Sequence, residues 1–359
     1  MIFSKKLRNT HKFICITAVI ITALCSGCSS IGYYSHIIGG HLQIHSSTQP
    51  IESILSDSDT DDILRQKLKL IQEAKQFAVT KLDLPQNDSY SEYADLGRKY
   101  VMWSVTATPK LSLSPHQSCF IIVGCMNYRT FFAKEDAESF AKNMQDQGYD
   151  TYIASVAAFS SLGWFDDPVL NTMLSWRDTR LAGLIFHELT HQKIYVNDDT
   201  TFNESLAVTV EMEGIKKWLA SKGETDKLQE FLKQSKRHQQ FLDLVLYTRS
   251  QLNSLYQTNL NNPEKLTKKD AIFKSLRDGY KGLKQNWGGY PGYDRWFAKD
   301  LNNAKLALLS TYSKYVPALT QILHENNGDF GKFFVKVKEL ATLKKNERDL
   351  FLETSLPKK

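Results

Sequence analysis

Apolar residues recur at helical spacing between polar ones over residues 29–99. This pattern predicts one helix at Ile31–Leu55 and a second at Ile63–Leu82. An acidic run at 57–62 precedes the second helix and is expected to cap it. The apolar stripe of this second helix consists of Leu64, Leu68, Ile71 and Phe77. Residues 29–99 are therefore predicted to form an N-terminal helical segment.

From residue 100 the pattern changes to that of extended chain. The segments 101–108, 119–125 and 150–159 are rich in β-branched and aromatic residues and predict strands. Between them Ala133–Gln147 predicts a helix, and after a loop a short helix is predicted at Val169–Leu174. We therefore expect residues 100–177 to be an α+β lobe with a small sheet.

Residues 178–359 return to helical spacing almost to the end of the chain. Long amphipathic stretches predict helices at Glu224–Tyr256 and Glu264–Leu283. A glycine-rich break at 287–293 separates them from three further predicted helices, at Leu301–Tyr315, Pro317–Glu325 and Phe330–Lys344. The chain is thus predicted to be α+β and predominantly α-helical, with residues 29–359 as one compact unit.

The candidate chemistry lies in the stretch Leu181–Gly214. It contains His187-Glu188-Leu189-Thr190-His191, and on a helix residues four apart point to one spot. Two imidazoles at this spacing suit zinc, and Glu188 has the position of a general base. Apolar residues before the motif predict a buried helix, which Asp178 is expected to cap. The alternative is an amphipathic helix whose two histidines are ordinary core or surface residues.

A third ligand is expected from a second helix. After a polar break at 197–200, the sequence Asn-Glu-Ser-Leu-Ala at 203–207 brings in Glu204. Three protein ligands leave a fourth position for water, which is the catalytic rather than the structural pattern. Glu211 follows seven residues after Glu204 and is expected to accept a hydrogen bond from a ligand histidine, unless it is a surface acid.

Residues 1–28 predict an export signal. Basic residues precede an apolar segment, Phe13–Leu24, that is too short to span a bilayer as a stable helix. Small residues before Cys28 resemble a bacterial lipobox, which implies that Cys28 carries a lipid. With Ser29 after it, the lipid anchor is expected in the outer membrane of a Gram-negative cell envelope, facing the periplasm. An uncleaved N-terminal membrane anchor is the alternative.

Export changes the interpretation of the cysteines and of the charge. Three of the five cysteines lie within 1–28, and Cys119 and Cys125 remain in an oxidising compartment. They are predicted to form a disulfide that closes a short hairpin, although two free thiols are possible.

The net charge of +6 includes four basic residues of the signal, so the exported chain is close to +2. This near balance argues against nucleic acid as a partner.

Taken together, these motifs resemble those of the bacterial putative aminopeptidase family of zinc-dependent lipoproteins, a gluzincin-like group. The resemblance covers essentially the whole chain after the signal. It rests on the segments 27–43, 160–174, 184–214 and 293–312 and on the two cysteines, Cys119 and Cys125. It implies a zincin-like peptidase fold that binds one zinc ion through His187, His191 and Glu204, with Glu188 as the catalytic acid and base.

A zinc-dependent peptidase, specifically an aminopeptidase, is the function that the resemblance implies. Such an enzyme acts on peptides or proteins and needs a carboxylate for the substrate's free ammonium group. Asp166 and Asp167 are the candidates, since no G-x-M-E-N sequence is present. Candidate donors to the oxyanion are Tyr195, Tyr293 and Tyr312. The alternatives are an endopeptidase of the cell envelope and a catalytically silent zinc-binding lipoprotein.

Overall fold

A computed structural model describes residues 39–40, 42–120, 124–158, 166–309 and 314–355. The expected signal at 1–28, the lipidation site Cys28 and the candidate Tyr312 lie outside these residues. Among the residues it describes, no helix is both long enough and apolar enough to cross a membrane.

The N-terminal part combines helices with a strand that the sequence pattern did not predict. Residues 42–46 are helical and lead into strand β1 (Thr48–Pro50) and helices α1 (Ile51–Ser56) and α2 (Asp62–Lys81). The prediction for α2 is confirmed within one residue, and Asp61 caps it. The continuous helix predicted to reach Leu55 is wrong at β1, because Pro50 disfavours a helical conformation before it. β1 instead pairs with strand β2 (Glu92–Ala94).

The α+β lobe is a three-stranded antiparallel sheet with one helix packed on it. Strand β3 (Met102–Pro109) is central, between β6 (Arg129–Phe131) and β7 (Tyr149–Val156). Helix α3 (Lys134–Asp146) packs against β3 and β7. The strands predicted at 101–108 and 150–159 and the helix predicted at Ala133–Gln147 are confirmed with boundaries shifted by a few residues, whereas β6 was not predicted and the single strand predicted at 119–125 is wrong, since its two ends belong to different strands of a hairpin.

A separate hairpin connects β3 to β6. It consists of β4 (Ser118–Phe120) and β5 (Gly124–Met126), in which Cys119 lies directly opposite Cys125. The structure joins the two cysteines in a disulfide, and both are exposed.

The helix predicted at Val169–Leu174 is wrong. Residues Val169–Leu170 form strand β8, which pairs in parallel with β2, and Asn171–Met173 form a single 3-10 turn. Val169 and Leu170 are almost fully buried, and their backbone groups bond to a distant strand. Tertiary pairing therefore overrides the local helical pattern.

Helices make up most of the described residues after 177, and the described part of the molecule is α+β and mostly helical. Helix α4 begins after Arg177, so Asp178 is its first residue and not its cap; the Asp178 carboxylate accepts a hydrogen bond from Lys67. The short helix α8 and the last helix α12 were not predicted. The helices are α4 (Asp178–Lys193), α5 (Thr200–Ser221), α6 (Thr225–Tyr256), α7 (Asn262–Asn286), α8 (Asp294–Ala298), α9 (Asn303–Ala307), α10 (Val316–Glu325), α11 (Phe330–Thr342) and α12 (Lys345–Thr354).

Two large hydrophobic cores organise these helices. The first, which we call the ligand core, lies between α2, α4, α5, α10 and α11, and includes Ile71, Phe186, Leu189, Phe202, Leu206, Leu319 and Phe333. The second, which we call the aromatic core, lies between α6, α7 and the segment 287–309. Its rings include Phe241, Tyr280, Trp287, Tyr293, Trp296 and Phe297.

Candidate metal centre

Helices α4 and α5 approach closely because each has a glycine where the other has a bulky side chain. A Cβ atom on Gly183 of α4 would lie 2.8 Å from Ile215 and 3.1 Å from Glu211. On Gly214 of α5, a Cβ atom would lie 2.9 Å from the Phe186 ring. Such distances are shorter than real Cβ contacts, so these two positions allow the carboxylates of α5 to reach the histidines of α4.

The three predicted ligands come together at this helix pair. His187 Nε2 lies 3.4 Å from Glu204 Oε2, and His191 Nε2 lies 3.7 Å from Glu204 Oε1. The two imidazole rings have centroids 4.9 Å apart and are nearly perpendicular. One donor atom from each residue lies within 4.8 Å of the other two.

This arrangement fits a zinc ion by distance and by donor type. Zinc binds imidazole nitrogen and carboxylate oxygen at about 2.0–2.2 Å, so tetrahedral ligands lie about 3.3–3.6 Å apart. The separations of Glu204 from His187 and His191 lie within or close to this range. The buried Nε2 atoms and the carboxylate could hold the ion without rearrangement of the two helices.

The nitrogen of His187 that faces away from the ligand set is bound by Glu211. Its Nδ1 lies 3.1 Å from Glu211 Oε2, which is the contact that the sequence suggested for this acid. A carboxylate at this place fixes the tautomer and the ring orientation of a ligand histidine. The Nδ1 atom of His191 is buried and makes no hydrogen bond to the described part of the chain.

The site favours positive charge. Burial lowers the pKa of His187, but hydrogen bonds to Glu204 and Glu211 and the charge of Glu188 raise the pKa to about 10. Burial and the neighbouring charge of His187 together lower the pKa of His191 to about 4. Without metal, one proton is therefore held between the carboxylates, and a divalent cation would have to displace it.

Asn203 fixes the connection between the two helices, a role that the sequence did not reveal. Its Oδ1 accepts a hydrogen bond from Val196 N at 2.9 Å, and its Nδ2 donates to Val196 O at 2.8 Å. Asn203 is 1% exposed. Asn203 directly precedes Glu204. These two hydrogen bonds between its side chain and the Val196 backbone therefore fix the position of the third ligand near the start of α5.

A second residue missed by the sequence analysis is Tyr90. It is 1% exposed, has a left-handed backbone conformation at φ 62°, and its backbone N donates to Asp167 O at 2.7 Å. Burial, and then the charges of Glu188 and Asp167, raise the pKa of Tyr90 well above its usual range. Its segment is also tied to α4, because Asn87 and Ser89 hydrogen bond to Gln192. No sequence pattern marks this loop.

The two candidate tyrosines that the structure describes differ in their surroundings. Tyr195 follows α4, is 48% exposed, and has its ring centroid 6.3 Å from that of His191. Tyr293 belongs to the aromatic core, where its hydroxyl lies 2.9 Å from Nδ1 of His238. His238 is exposed, but neighbouring protein atoms remove part of its ring from water, which lowers the pKa of His238, and the charge of Glu211 raises it. The missed residue His238 thus lies within electrostatic reach of the acid that holds His187.

The two aspartates proposed as substrate anchors differ in accessibility. Asp167 is 1% exposed and lies beside Tyr90, whereas Asp166 is exposed. Burial lowers the pKa of Lys75, and the charges of Asp88 and Asp166 oppose this change, so Asp166 lies near a cation of α2. Only Asp166 is open to a molecule arriving from solvent.

A family model described as "Putative aminopeptidase" matches residues 32–352, which is most of the chain. No curated protein and no solved structure matches the chain significantly.

Proposed function

The chain belongs to the putative aminopeptidase family, and we propose that it is a zinc-dependent peptidase that removes residues from the N-terminus of peptides. One observation carries the zinc dependence: two imidazoles and a carboxylate from adjacent helices have donor atoms within 4.8 Å of one another. The family membership supports peptidase function at a coarse level, and the donor set supports the metal-dependent class of peptidase.

Each residue of the site has a distinct role in this proposal. His187, His191 and Glu204 would hold the zinc ion, which would act as a Lewis acid and lower the pKa of a water molecule. Glu188 accepts a proton from the attacking water and transfers it to the leaving amine. Glu211 holds His187 in the orientation that presents Nε2.

Tyr195 is the proposed donor to the oxyanion that develops on the scissile carbonyl. It lies beside His191, and burial together with the charges of Glu204 and Asp198 raises the pKa of Tyr195, so the hydroxyl keeps its proton. A protonated hydroxyl can stabilise negative charge in the transition state. Tyr293, whose hydroxyl contacts His238, is the second candidate.

For the exopeptidase specificity, we assign the substrate's ammonium group to Asp166, because Asp167 is buried. Peptide pairs that differ only in an N-terminal acetyl group test this. Acetylated peptides lack this charge-assisted hydrogen bond, so their kcat/KM is expected to be lower by roughly ten- to a hundredfold than that of the free peptides. Asp166→Ala should remove that preference and keep zinc. Equal internal cleavage of acetylated peptides would instead identify an endopeptidase, and no cleavage at all a silent zinc protein.

Metal analysis of the purified protein tests the zinc site. About one zinc ion per chain is expected. Glu204→Ala should lose most of it, whereas Glu188→Gln should keep zinc and lose turnover by about 10²–10⁴-fold. Glu213→Ala is a matched control on α5, since Glu213 contacts Lys216 and His324. Wild-type protein without zinc, or full activity of Glu188→Gln, would overturn the proposal.

The lipid anchor at Cys28 and its place in the outer membrane belong to the same proposal, because the substrates would then be periplasmic peptides. Labelling with a fatty-acid analogue should occur in the full-length protein and vanish in Cys28→Ala. Unchanged labelling of that variant would refute lipidation at Cys28.

A further inference from the structure

The carboxylate of Asp199 is held by two basic side chains of the C-terminal helix α12. Arg348 donates through Nε and Nη2 to Asp199 Oδ2 at 3.0 and 2.5 Å, and Lys345 Nζ lies 3.1 Å from Oδ1. Arg348 and Asp199 are each 2% exposed. The pair is shielded from water, and loss of either partner would leave a buried charge without its counterpart.

Asp199 is also the residue at which helix α5 begins. Its Oδ1 accepts a hydrogen bond from Phe202 N at 3.3 Å, so it is the N-cap of the helix that carries Glu204. The guanidinium of Arg348 lies 5.0 Å from the centre of the Phe202 ring. A shift of Asp199 would therefore move the first turn of α5, which directly precedes Glu204.

The other edge of the Arg348 guanidinium contacts the end of helix α11. Its Nη1 donates to Leu343 O at 2.9 Å and lies 3.5 Å from Leu340 O. A guanidinium is rigid and planar, so it fixes these carbonyls and the Asp199 carboxylate relative to one another. Arg348 thus connects the end of α11 to the start of α5.

A second contact with the C-terminal part of the chain holds the residue that follows Glu204. Ser205, which directly follows Glu204 and is fully buried, accepts a hydrogen bond from Tyr315 N at 3.2 Å. Tyr315 is the residue before helix α10. Both sides of Glu204 are therefore fixed by the segment 314–355, which the sequence pattern does not connect with the metal motif.

We infer that the C-terminal segment 314–355 is a positioning element for the metal site, and that Arg348 acts through Asp199 to hold Glu204 against His187 and His191. This inference rests on the proposed zinc dependence. Arg348 is a positioning residue, since none of its described contacts is with the three ligands. The two histidines, by contrast, are on α4 and do not depend on this contact for their mutual spacing.

Metal affinity of the full chain tests the inference without any substrate. Arg348→Met should weaken zinc and cobalt binding by about tenfold, the lower end of the effect of removing a group that hydrogen bonds directly to a ligand. It should also change the visible absorption of the cobalt-loaded protein, because one carboxylate ligand is displaced. Lys269→Met is the matched control, since Lys269 is a similarly buried cation, 2.5 Å from Asp150 and remote in sequence from the ligands. It should leave affinity and spectrum unchanged.

Two further variants keep the test decisive if Arg348→Met folds poorly. Arg348→Lys keeps the positive charge but loses the planar set of guanidinium donors. It is expected to lose less metal affinity than Arg348→Met. Asp199→Asn retains the helix cap and should lose as much metal affinity as Arg348→Met. The double variant of Arg348→Met and Asp199→Asn should show no additional loss of metal affinity. Wild-type affinity in folded Arg348→Lys and Asp199→Asn, or equal losses in Lys269→Met, would overturn the positioning role alone. Absence of metal binding in the wild type would overturn it together with the proposed function.

Discussion

The ligand core and the aromatic core bury charged groups in different ways. Within the ligand core, charges lie beside opposite charges, as in Asp199 with Arg348 and His187 with Glu211. At the aromatic core Lys269 is paired with Asp150, but the more deeply buried Lys305 lies against a ring and a backbone carbonyl. Lys305, fully buried, donates to Trp296 O and lies 4.7 Å from the Trp296 ring centre.

This difference corresponds to different demands on the two cores. Opposite charges with fixed hydrogen bonds set positions to within a few tenths of an ångström, which a metal site needs. Rings and carbonyls tolerate small displacements, because their attraction varies gradually with distance. Changes in the ligand core should therefore alter metal binding, and changes in the aromatic core should alter stability or turnover without loss of metal.

Truncation of one phenylalanine in each core is the strongest test. Phe186 packs beside Phe77 and over Gly214, and Phe297 stacks on Tyr280 at 4.1 Å. Replacement by alanine should lower the free energy of unfolding by about 3–5 kcal/mol at either site. Urea unfolding measures this loss, and titration with zinc should find weaker binding only for Phe186→Ala. Equal effects on zinc would mean that the cores do not act separately.

Removal of the hydroxyl group from Tyr195 or from Tyr293 should affect catalysis next most strongly. Tyr195→Phe removes the proposed oxyanion donor and should lower kcat by about 10²–10³-fold, with KM and zinc content unchanged. Tyr293→Phe removes only a hydrogen bond to His238 and should lower kcat less than tenfold. Steady-state kinetics with one peptide distinguishes them. A larger loss for Tyr293→Phe would transfer the donor role to the aromatic core.

Lys305 makes stability of the aromatic core depend on pH. Burial lowers the pKa of Lys305 to about 8 from 10.5, so the folded protein loses this proton first as pH rises. Between these values the unfolded chain binds more protons, and the free energy of unfolding should increase with pH by about 3 kcal/mol. Lys305→Met should lack this increase and be the more stable protein at pH 7. Urea unfolding from pH 7 to 10.5 compares the two, and parallel curves would contradict the assignment.

The smallest expected effect comes from one methyl group. Gly183→Ala adds a Cβ atom close to Glu211 and Ile215, and should weaken zinc binding by about tenfold at most because His187 loses its oriented partner. Gly282→Ala on α7 meets no atom within 4 Å. That control should gain up to about 1 kcal/mol of helix stability and keep its zinc affinity. Zinc titration of both proteins distinguishes steric displacement from a general effect of alanine.

The parts of the fold predicted from sequence are those with a local period. Helices α2, α6 and α11 have continuous apolar stripes, and their predicted bounds were close to the observed ones. The ligand set was also visible locally, because the spacing of His187 and His191 on one helix face requires no knowledge of the fold.

The parts that were missed depend on partners far away in sequence. Helix α12 buries only Arg348 and Leu352, so it has little apolar pattern, and its main partner Asp199 is 149 residues away. Tyr90 lies on a loop and His238 on a separate helix, and only the charges of Glu188 and Glu211 connect them with the site. Gly183 could have been noticed as an isolated glycine inside a helical pattern, which often indicates close packing.

Asn303 has a consequence for how the protein is made. Its Nδ2 donates to Lys110 O and Ser112 O at 2.9 Å, and its backbone N donates to Asp150 Oδ2, so it completes the edge of the α+β lobe from 191 and 193 residues downstream. A ribosome adds roughly 5–20 residues each second, so Asn303 is synthesised about 10–40 s after the two carbonyl groups that it binds. The loop that follows β3 therefore obtains these side-chain contacts only after α9 has been synthesised, long after the strands of its own sheet.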